Sequence, residues 1–478
     1  MDTTPPAMPR PFTLRRALLV VLFAAFAVRL LFGASLPILL SNDSLDYAAT
    51  AIRIASGEPA NFSPVRTPGY PILLAIAFLL LGTSGVAVLL LHHLLGLGIA
   101  LLATFAAARF VRPAFACVIG ILVAFDPFLL GFSHLMLSEV AAAFFVMLAV
   151  AAAVYADRSA FWAVMIASIG LAAACLVRPA MQVVVPFVVL GMVGMSGLSF
   201  KQRLRVAALV LLGFLGVSGT WLVHNANRGV KGFGEGFGWA LWVSLVQQDL
   251  YDRDYVVPEP VREATAKLTA AKDGGNYVWT YLAEPSVAAQ PRAFFREWAV
   301  ASIRKQPAAY AQRVGWAFLW QLNCFPKGSP QSWEQTRIFF KRITMDNSSG
   351  GGGPPRPSNF MTTSAPAQVL PLGMSGKDGL VRSAWAWWCD HHPTGLPQVP
   401  LCLLAIAGGI AAILKRHWLM VGLYLGTGAV VAVHAAMVFF QSRYSLPAWL
   451  AWYPLAAYPL SLLGAWWHAR PNRNEPRP

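Results

Sequence analysis

Apolar runs long enough to cross a bilayer recur along most of the chain, separated by short polar breaks. A hydrocarbon core of roughly 30 Å takes about 17–25 helical residues. Runs of that order fall at about 17–40, 85–108, 113–131, 135–156, 160–177, 182–199, 204–223, 396–414, 417–438 and 444–467. The pattern predicts an all-α integral membrane protein with about ten transmembrane helices. Segment 68–82 is equally apolar but only about 15 residues long, short for a crossing. If it crossed, the later basic clusters would lie opposite the basic N-terminus. Kept as a juxtamembrane helix, it leaves Arg109, Arg112, Arg158 and the Lys201–Arg205 cluster on the N-terminal side, as the positive-inside rule requires.

These boundaries define a proline-rich basic leader at 1–16 and an N-terminal membrane module at 17–223 with a first outer loop at 41–84. A large outer loop at 224–395 lies between spans seven and eight, three spans follow within 396–467, and a tail covers 468–478. Leader and tail are both expected in the cytoplasm. The run at 17–40 is too long for the apolar core of a signal peptide and Arg29 interrupts it, which predicts a retained span. A lipid-exposed charge there costs about 2.5–3.5 kcal/mol, so Arg29 is expected to face the bundle interior or snorkel to the surface. In the large loop, Phe294, Phe295 and Trp298 alternate with Arg292, Arg296, Arg304 and Lys305, a mixture suited to a helix lying in the interface. The Ser-, Gly- and Pro-rich stretch at 346–359 reads as a flexible linker.

Composition agrees with this picture. Of 478 residues, 57% are hydrophobic and 12% charged, against roughly 25% charge in soluble domains. The formal charge of +16 raises the question of nucleic acid. The charges sit in patches between spans, however, and no basic groove or recognition motif accompanies them. Cys117, Cys175 and Cys402 fall in spans and read as small core residues, whereas Cys324 and Cys389 share the outer loop, where an oxidising compartment would permit a disulfide. Asp390, His391 and His392 are three adjacent residues, a poor basis for a closed metal site.

The chemistry gathers on the outer face. Asp43, Asp46 and Tyr47 follow span one, and Arg66 and Tyr70 flank the start of the juxtamembrane segment. Asp126, His134 and Glu139 border the turn between spans three and four. Arg178 lies between spans five and six, His224 and Arg228 follow span seven, and Arg443 and Tyr444 open the last span. A carboxylate can take a proton from an attacking hydroxyl or amine, and arginines can hold a phosphate and stabilise the charge growing on it. A phosphate beside a bilayer suggests a polyprenyl phosphate. Singly, each residue has a plainer reading: Asp43 and Asp46 as helix caps, Arg66 as an interfacial anchor, Asp126 as a turn former, and Glu139 as a first-turn charge.

In this arrangement the chain resembles the GT-C superfamily of membrane glycosyltransferases, in the branch of the protein O-mannosyltransferases and the lipid A aminoarabinose transferase. The resemblance rests on Asp43-Ser-Leu-Asp-Tyr47 and Arg66-Thr-Pro-Gly-Tyr-Pro71. Leu137-Ser-Glu139, Val177-Arg-Pro179, Trp221 with Asn225, and Arg443-Tyr444-Ser-Leu-Pro447 follow in order. It implies an outward-facing active site, a polyprenyl-phosphate-linked sugar donor and inversion at the anomeric carbon, with Asp43 as catalytic acidic residue and Arg66 at the donor phosphate. Relatives often carry Asp-Glu in the first loop. Here Ser44 follows Asp43, which leaves Asp46 or Glu139 as the second carboxylate. Trp387-Trp388-Cys389-Asp390 is not the Trp-Trp-Asp signature of oligosaccharyltransferases, which argues against whole-glycan transfer to asparagine.

The expected protein is therefore a multi-pass inner-membrane glycosyltransferase with its site facing the periplasm. Asp43, Asp46 and Glu139 are the catalytic candidates; Tyr47, Arg66, Tyr70, Arg178, His224, Arg443 and Tyr444 are the binding candidates. The acceptor is lipid A or lipopolysaccharide, another envelope glycan or a protein hydroxyl. No metal ligands are assigned; some relatives use a divalent metal and others none. The competing readings are a ligase or polymerase using a diphosphate-linked oligosaccharide, and a polyprenyl-lipid flippase. The flippase predicts mid-span charges and internal symmetry, whereas the charges here cluster at the outer ends of spans.

Overall fold

The computed structural model describes residues 12–36, 38, 42–60, 62, 66–156, 160–195, 197–234, 236–270, 284–321, 380–391, 398–438 and 445–468. Arg443, Tyr444, Arg158, Cys324, His392, the linker at 346–359 and the side chains of Cys389, Asp390 and His391 lie outside the described residues.

The first half of the described chain forms α1 (Leu14–Ser35), α2 (Asn42–Ala55), α3 (Gly69–Leu81), α4 (Gly85–Ala107), α5 (Pro113–Ala124) and α6 (Pro127–Ser133). Next come α7 (Glu139–Ala153), α8 (Ala160–Val177), a 3-10 turn at Pro179–Val183, α9 (Val184–Val193) and α10 (Phe200–Asn227). The large loop contributes α11 (Gly236–Gln247), α12 (Glu259–Ala270), α13 (Pro285–Ala288), α14 (Arg292–Lys305), α15 (Pro307–Gln321) and α16 (Leu380–His391). The chain returns through α17 (Gln398–Leu414), α18 (Trp418–Val438), α19 (Leu446–Leu455) and α20 (Ala457–His468).

Local sequence sets several of these boundaries. The Thr13 hydroxyl accepts from the Arg16 amide to start α1, and Ser84 caps α4 from the Ala87 amide. Ser199 and Gln202 form a reciprocal capping box on α10. Pro113 and Pro127 occupy first-turn positions, where no amide is needed.

Each expected span coincides with a helix or with a pair broken by a sequence feature. Among the described residues four helices are long and apolar enough to cross a membrane: α1, α4, α10 and Trp418–Met437 within α18. The pair α5–α6, bent by 45°, makes a fifth if it is one span. The remaining segments are shorter than the apolar runs suggested. The break between α5 and α6 falls at Asp126-Pro127, Arg178-Pro179 diverts the chain into a 3-10 turn, and the last run divides at Ala456 after Pro454.

The bundle packs through small residues. α7 lies against α8, α8 against α10, and α9 against α18. At this last crossing a Cβ on Gly422 would stand 2.3 Å from the Phe187 carbonyl oxygen, so the two backbones touch in the manner of small-residue membrane interfaces. Arg29 takes the interior alternative. It is buried, its guanidinium lies where a Cβ on Gly96 would stand, and Nη1 reaches the Ser133 hydroxyl at 3.4 Å.

The large loop has its own core. Trp242 of α11 stacks on Trp298 of α14 at 3.7 Å, with Phe295, Leu245, Val261 and Leu268 buried around them. The amphipathic stretch expected in the membrane interface thus turns its aromatic face onto α11. Trp239 and Trp242 supply inside the chain the apolar surface that lipid was expected to supply. Tyr310 of α15 donates to the Ala436 carbonyl of α18 at 2.9 Å, docking the loop on the bundle.

Candidate active site

The first cluster is built on α2. That helix begins at Asn42, so Asp43 and Asp46 lie within its first turns and are not its caps. Helical spacing sends Ser44 and Tyr47 one way, onto the α6–α7 connection. The Ser44 hydroxyl donates to the Met136 carbonyl at 2.7 Å, and the Tyr47 hydroxyl meets that of Ser138 at 3.4 Å. Asp43 and Asp46 turn toward the segment before α3, where Arg66 meets both. Arg66 Nη2 lies 2.6 Å from Asp43 Oδ1, Nε lies 3.6 Å from Asp46 Oδ2, and Nη1 donates to the Tyr47 hydroxyl at 3.4 Å. Its guanidinium also sits 5.1 Å from the centre of the Tyr47 ring. Asp43 and Arg66 keep 18% and 23% of their side-chain surface, enough for a ligand to reach them, and Asp46 keeps 60%.

The second cluster joins α7 to the end of α8. Arg178 Nη1 lies 2.8 Å from Glu139 Oε1, with Arg178 13% and Glu139 2% exposed. Tyr47 and Tyr70 stand between the two pairs, edge to face at 4.9 Å. Arg178 acts electrostatically on Tyr47, and Glu139 on Tyr70 and His92. Close packing brings these elements together: a Cβ on Gly69 would lie 2.6 Å from the Leu176 carbonyl and 2.8 Å from the Val177 nitrogen. The Pro-Gly-Tyr-Pro turn therefore presses α3 onto the backbone that leads into Arg178.

Charge and burial tune the first cluster. Burial works against the Arg66 cation, but Tyr47, Asp43 and Asp46 outweigh it and hold the guanidinium above its ordinary value. Burial raises the Tyr47 phenol, with Arg66 pulling it down and Asp43 pushing it up. Tyr47 is accordingly a neutral hydroxyl at physiological pH, and Arg66 stays charged.

Other candidates are placed differently. Tyr70 is fully buried and its hydroxyl is bonded to His92 at 2.8 Å, so it stands behind the site. His224 is exposed at the end of α10, stacked on Trp221 and 3.4 Å from Arg228, which also reaches the Phe62 carbonyl of the first outer loop. Asn225 and Trp221 donate to the Gly232 and Phe233 carbonyls and fold the turn after α10. Asp126 caps α6 at the Leu129 amide and also accepts from the Tyr453 hydroxyl at 3.0 Å. Among the described residues no group of three or more His, Cys, Asp or Glu side chains gathers as a metal site. The contributions of Ser44, Ser138 and His92 were missed from the sequence. His92 was open to detection as a polar residue inside an apolar run.

The class these features define is a helical membrane protein carrying two acid–arginine pairs beside a tyrosine wall. No protein-family model and no curated protein matches the chain. Among solved structures, the archaeal oligosaccharyltransferase AglB from Archaeoglobus fulgidus, in complex with an inhibitory peptide and a dolichol-phosphate, is similar over 97% of this chain and 52% of its own. The identity is 13% and the TM-score 0.47. The apo form of the Archaeoglobus fulgidus oligosaccharyltransferase covers 96% and 51%, with 14% identity and a TM-score of 0.48. ArnT from Cupriavidus metallidurans bound to undecaprenyl phosphate covers 87% of this chain and 77% of its own, at 14% identity and a TM-score of 0.40. The chain spans about half the length of the oligosaccharyltransferase.

Proposed function

We propose that the protein is a ten-span inner-membrane glycosyltransferase. In this reading it moves one sugar from a polyprenyl phosphate to an envelope acceptor (lipid A or lipopolysaccharide, another glycan, or a protein hydroxyl) on the periplasmic face. The observation that carries the reading is the Asp43–Arg66 pair at 2.6 Å, on a partly exposed first-loop helix beside Tyr47 and the Glu139–Arg178 pair. Three nitrogens of Arg66 already face Asp43, Asp46 and Tyr47. A donor phosphate that takes Arg66 draws it from Asp43, whose carboxylate then accepts the proton of the acceptor hydroxyl or amine. The acceptor oxygen or nitrogen bonds to the anomeric carbon from the face opposite the phosphate, the carbon–oxygen bond to phosphate breaks, and the configuration inverts. The charge left on the phosphate rests on Arg66, with Arg178 close behind Tyr47.

Mass spectrometry of envelope lipids, glycans and proteins tests this in cells with wild-type protein, Asp43→Asn protein or none. A sugar-sized mass confined to wild type is expected. Transfer of a whole oligosaccharide would favour a diphosphate-linked donor, for which Arg66 and Arg178 offer two separate cations. Three identical profiles, with altered sidedness of polyprenyl-linked sugars, would put the flippase reading in its place.

A further inference from the structure

We propose that His92 is a positioning residue, acting through Tyr70 to fix the wall on which Tyr47 and Arg66 rest. For its effect on donor binding the proposal rests on the glycosyl-transfer reading above.

His92 is fully buried in α4, and both ring nitrogens are anchored on other elements. Nδ1 lies 3.2 Å from the Ser133 carbonyl at the end of α6, and Nε2 lies 2.8 Å from the Tyr70 hydroxyl on α3. A carbonyl can only accept, so Nδ1 carries the proton. The neutral ring then presents a lone pair at Nε2, and Tyr70 donates to it. The Tyr70 proton is thus directed into the bundle and the ring loses its freedom to swing. Tyr70 lies tilted against the imidazole at 5.8 Å and edge-on to Tyr47 at 4.9 Å, and Tyr47 carries the Arg66 guanidinium. The order of contact is His92, Tyr70, Tyr47, Arg66, Asp43.

Packing alone does not call for this residue. A leucine would fill an apolar helix without the cost of burying two ring nitrogens. The neighbouring His93 shows the contrast: it packs edge-on to His134 at 5.1 Å, and neither of its nitrogens has a hydrogen-bond partner. Directional anchoring belongs to His92, on the helix face that meets Tyr70.

The test uses full-length protein in nanodiscs, as wild type, His92→Phe, His92→Gln, Tyr70→Phe and the double His92→Phe/Tyr70→Phe. Glutamine keeps one donor and one acceptor. The first readout needs no ligand: the rate at which phenylglyoxal modifies Arg66, followed by peptide mass spectrometry. The second is the Kd for undecaprenyl phosphate. His92→Phe and Tyr70→Phe are each expected to speed Arg66 modification several-fold and to raise the Kd about tenfold. The double variant should be no worse than either single one, and His92→Gln should restore most of both values. Unchanged Arg66 reactivity in His92→Phe and Tyr70→Phe proteins that melt as wild type overturns the proposal, as does an additive double variant. If wild type fails to bind undecaprenyl phosphate while Arg66 reactivity follows the expected order, the donor reading fails and the positioning role stands.

Discussion

Asp43–Arg66 and Glu139–Arg178 join the same chemical groups at similar distances, 2.6 and 2.8 Å, in different surroundings. The first is partly open to solvent, between α2 and the segment before α3, and Arg66 divides its nitrogens among three acceptors. The second is nearly sealed between α7 and the end of α8. A pair that solvent still reaches can exchange partners at lower cost. A buried pair cannot, because removing one partner strands the other charge in a poor solvent. The difference is what the proposed reading needs: a first pair free to work reversibly on a ligand and a second that holds a fixed field behind it.

The strongest way to break this comparison is to remove one acid from each pair. Glu139→Leu should cost about 3–5 kcal/mol, measured as unfolding in detergent, and the double Glu139→Leu/Arg178→Leu should recover most of it. Asp43→Leu should cost clearly less in the same assay, because solvent still reaches Arg66. Equal losses at the two sites would erase the distinction. A finer probe replaces Arg66 with lysine, which keeps the charge and loses the planar fork. Undecaprenyl phosphate binding should weaken about tenfold, whereas Asp46→Asn, removing the longer and more exposed contact, should change it by less than about twofold.

The smallest effect lies in the outer loop, where Lys305 pairs with Asp252 at 2.6 Å and with Asp254. The Lys305 hydrogen bond, then its charge, holds the Asp254 carboxyl below its ordinary value, and Asp252 and Asp254 hold Lys305 above its own. The depressed acid stabilises above its unfolded value and is lost as pH falls through its folded one. The raised lysine stabilises below its unfolded value and is lost as pH rises through its folded one. The contribution is therefore full between about pH 4 and 10. Hydrogen exchange in α14 should show slightly less protection in Asp254→Asn at neutral pH, and the difference between the two proteins should fade as the pH falls below the ordinary carboxylate range. A difference that persists in acid would assign the effect to something other than this pair.

The helical elements were legible, since each expected span coincides with a helix or a broken pair; the number of crossings was not, because among the described residues four helices, or five with the bent pair, are long and apolar enough to span. A gathering of acids and arginines was legible, since the polar breaks between apolar runs carry them; that Asp43 meets Arg66 came only from the packing of α2 against the segment before α3. The partners of buried polar groups were not legible either. Tyr70 read as a binding residue because a tyrosine beside Arg66 looks exposed in sequence, and only packing turns it toward His92. The face of α14 misled for a related reason. Amphipathicity states that a surface must be covered, and Trp242, about 50 residues away, does the covering where lipid was expected.

Gly69 gives the site its scale. With no side-chain carbon there, α3 rests directly on the backbone of Leu176 and Val177. Arg66 lies three residues before this contact and Arg178 one residue after it. The contact serves as a length standard: the thickness of two bare main chains sets the separation between the segments that bear the two cations. Any added carbon would recalibrate both at once, without touching either charge.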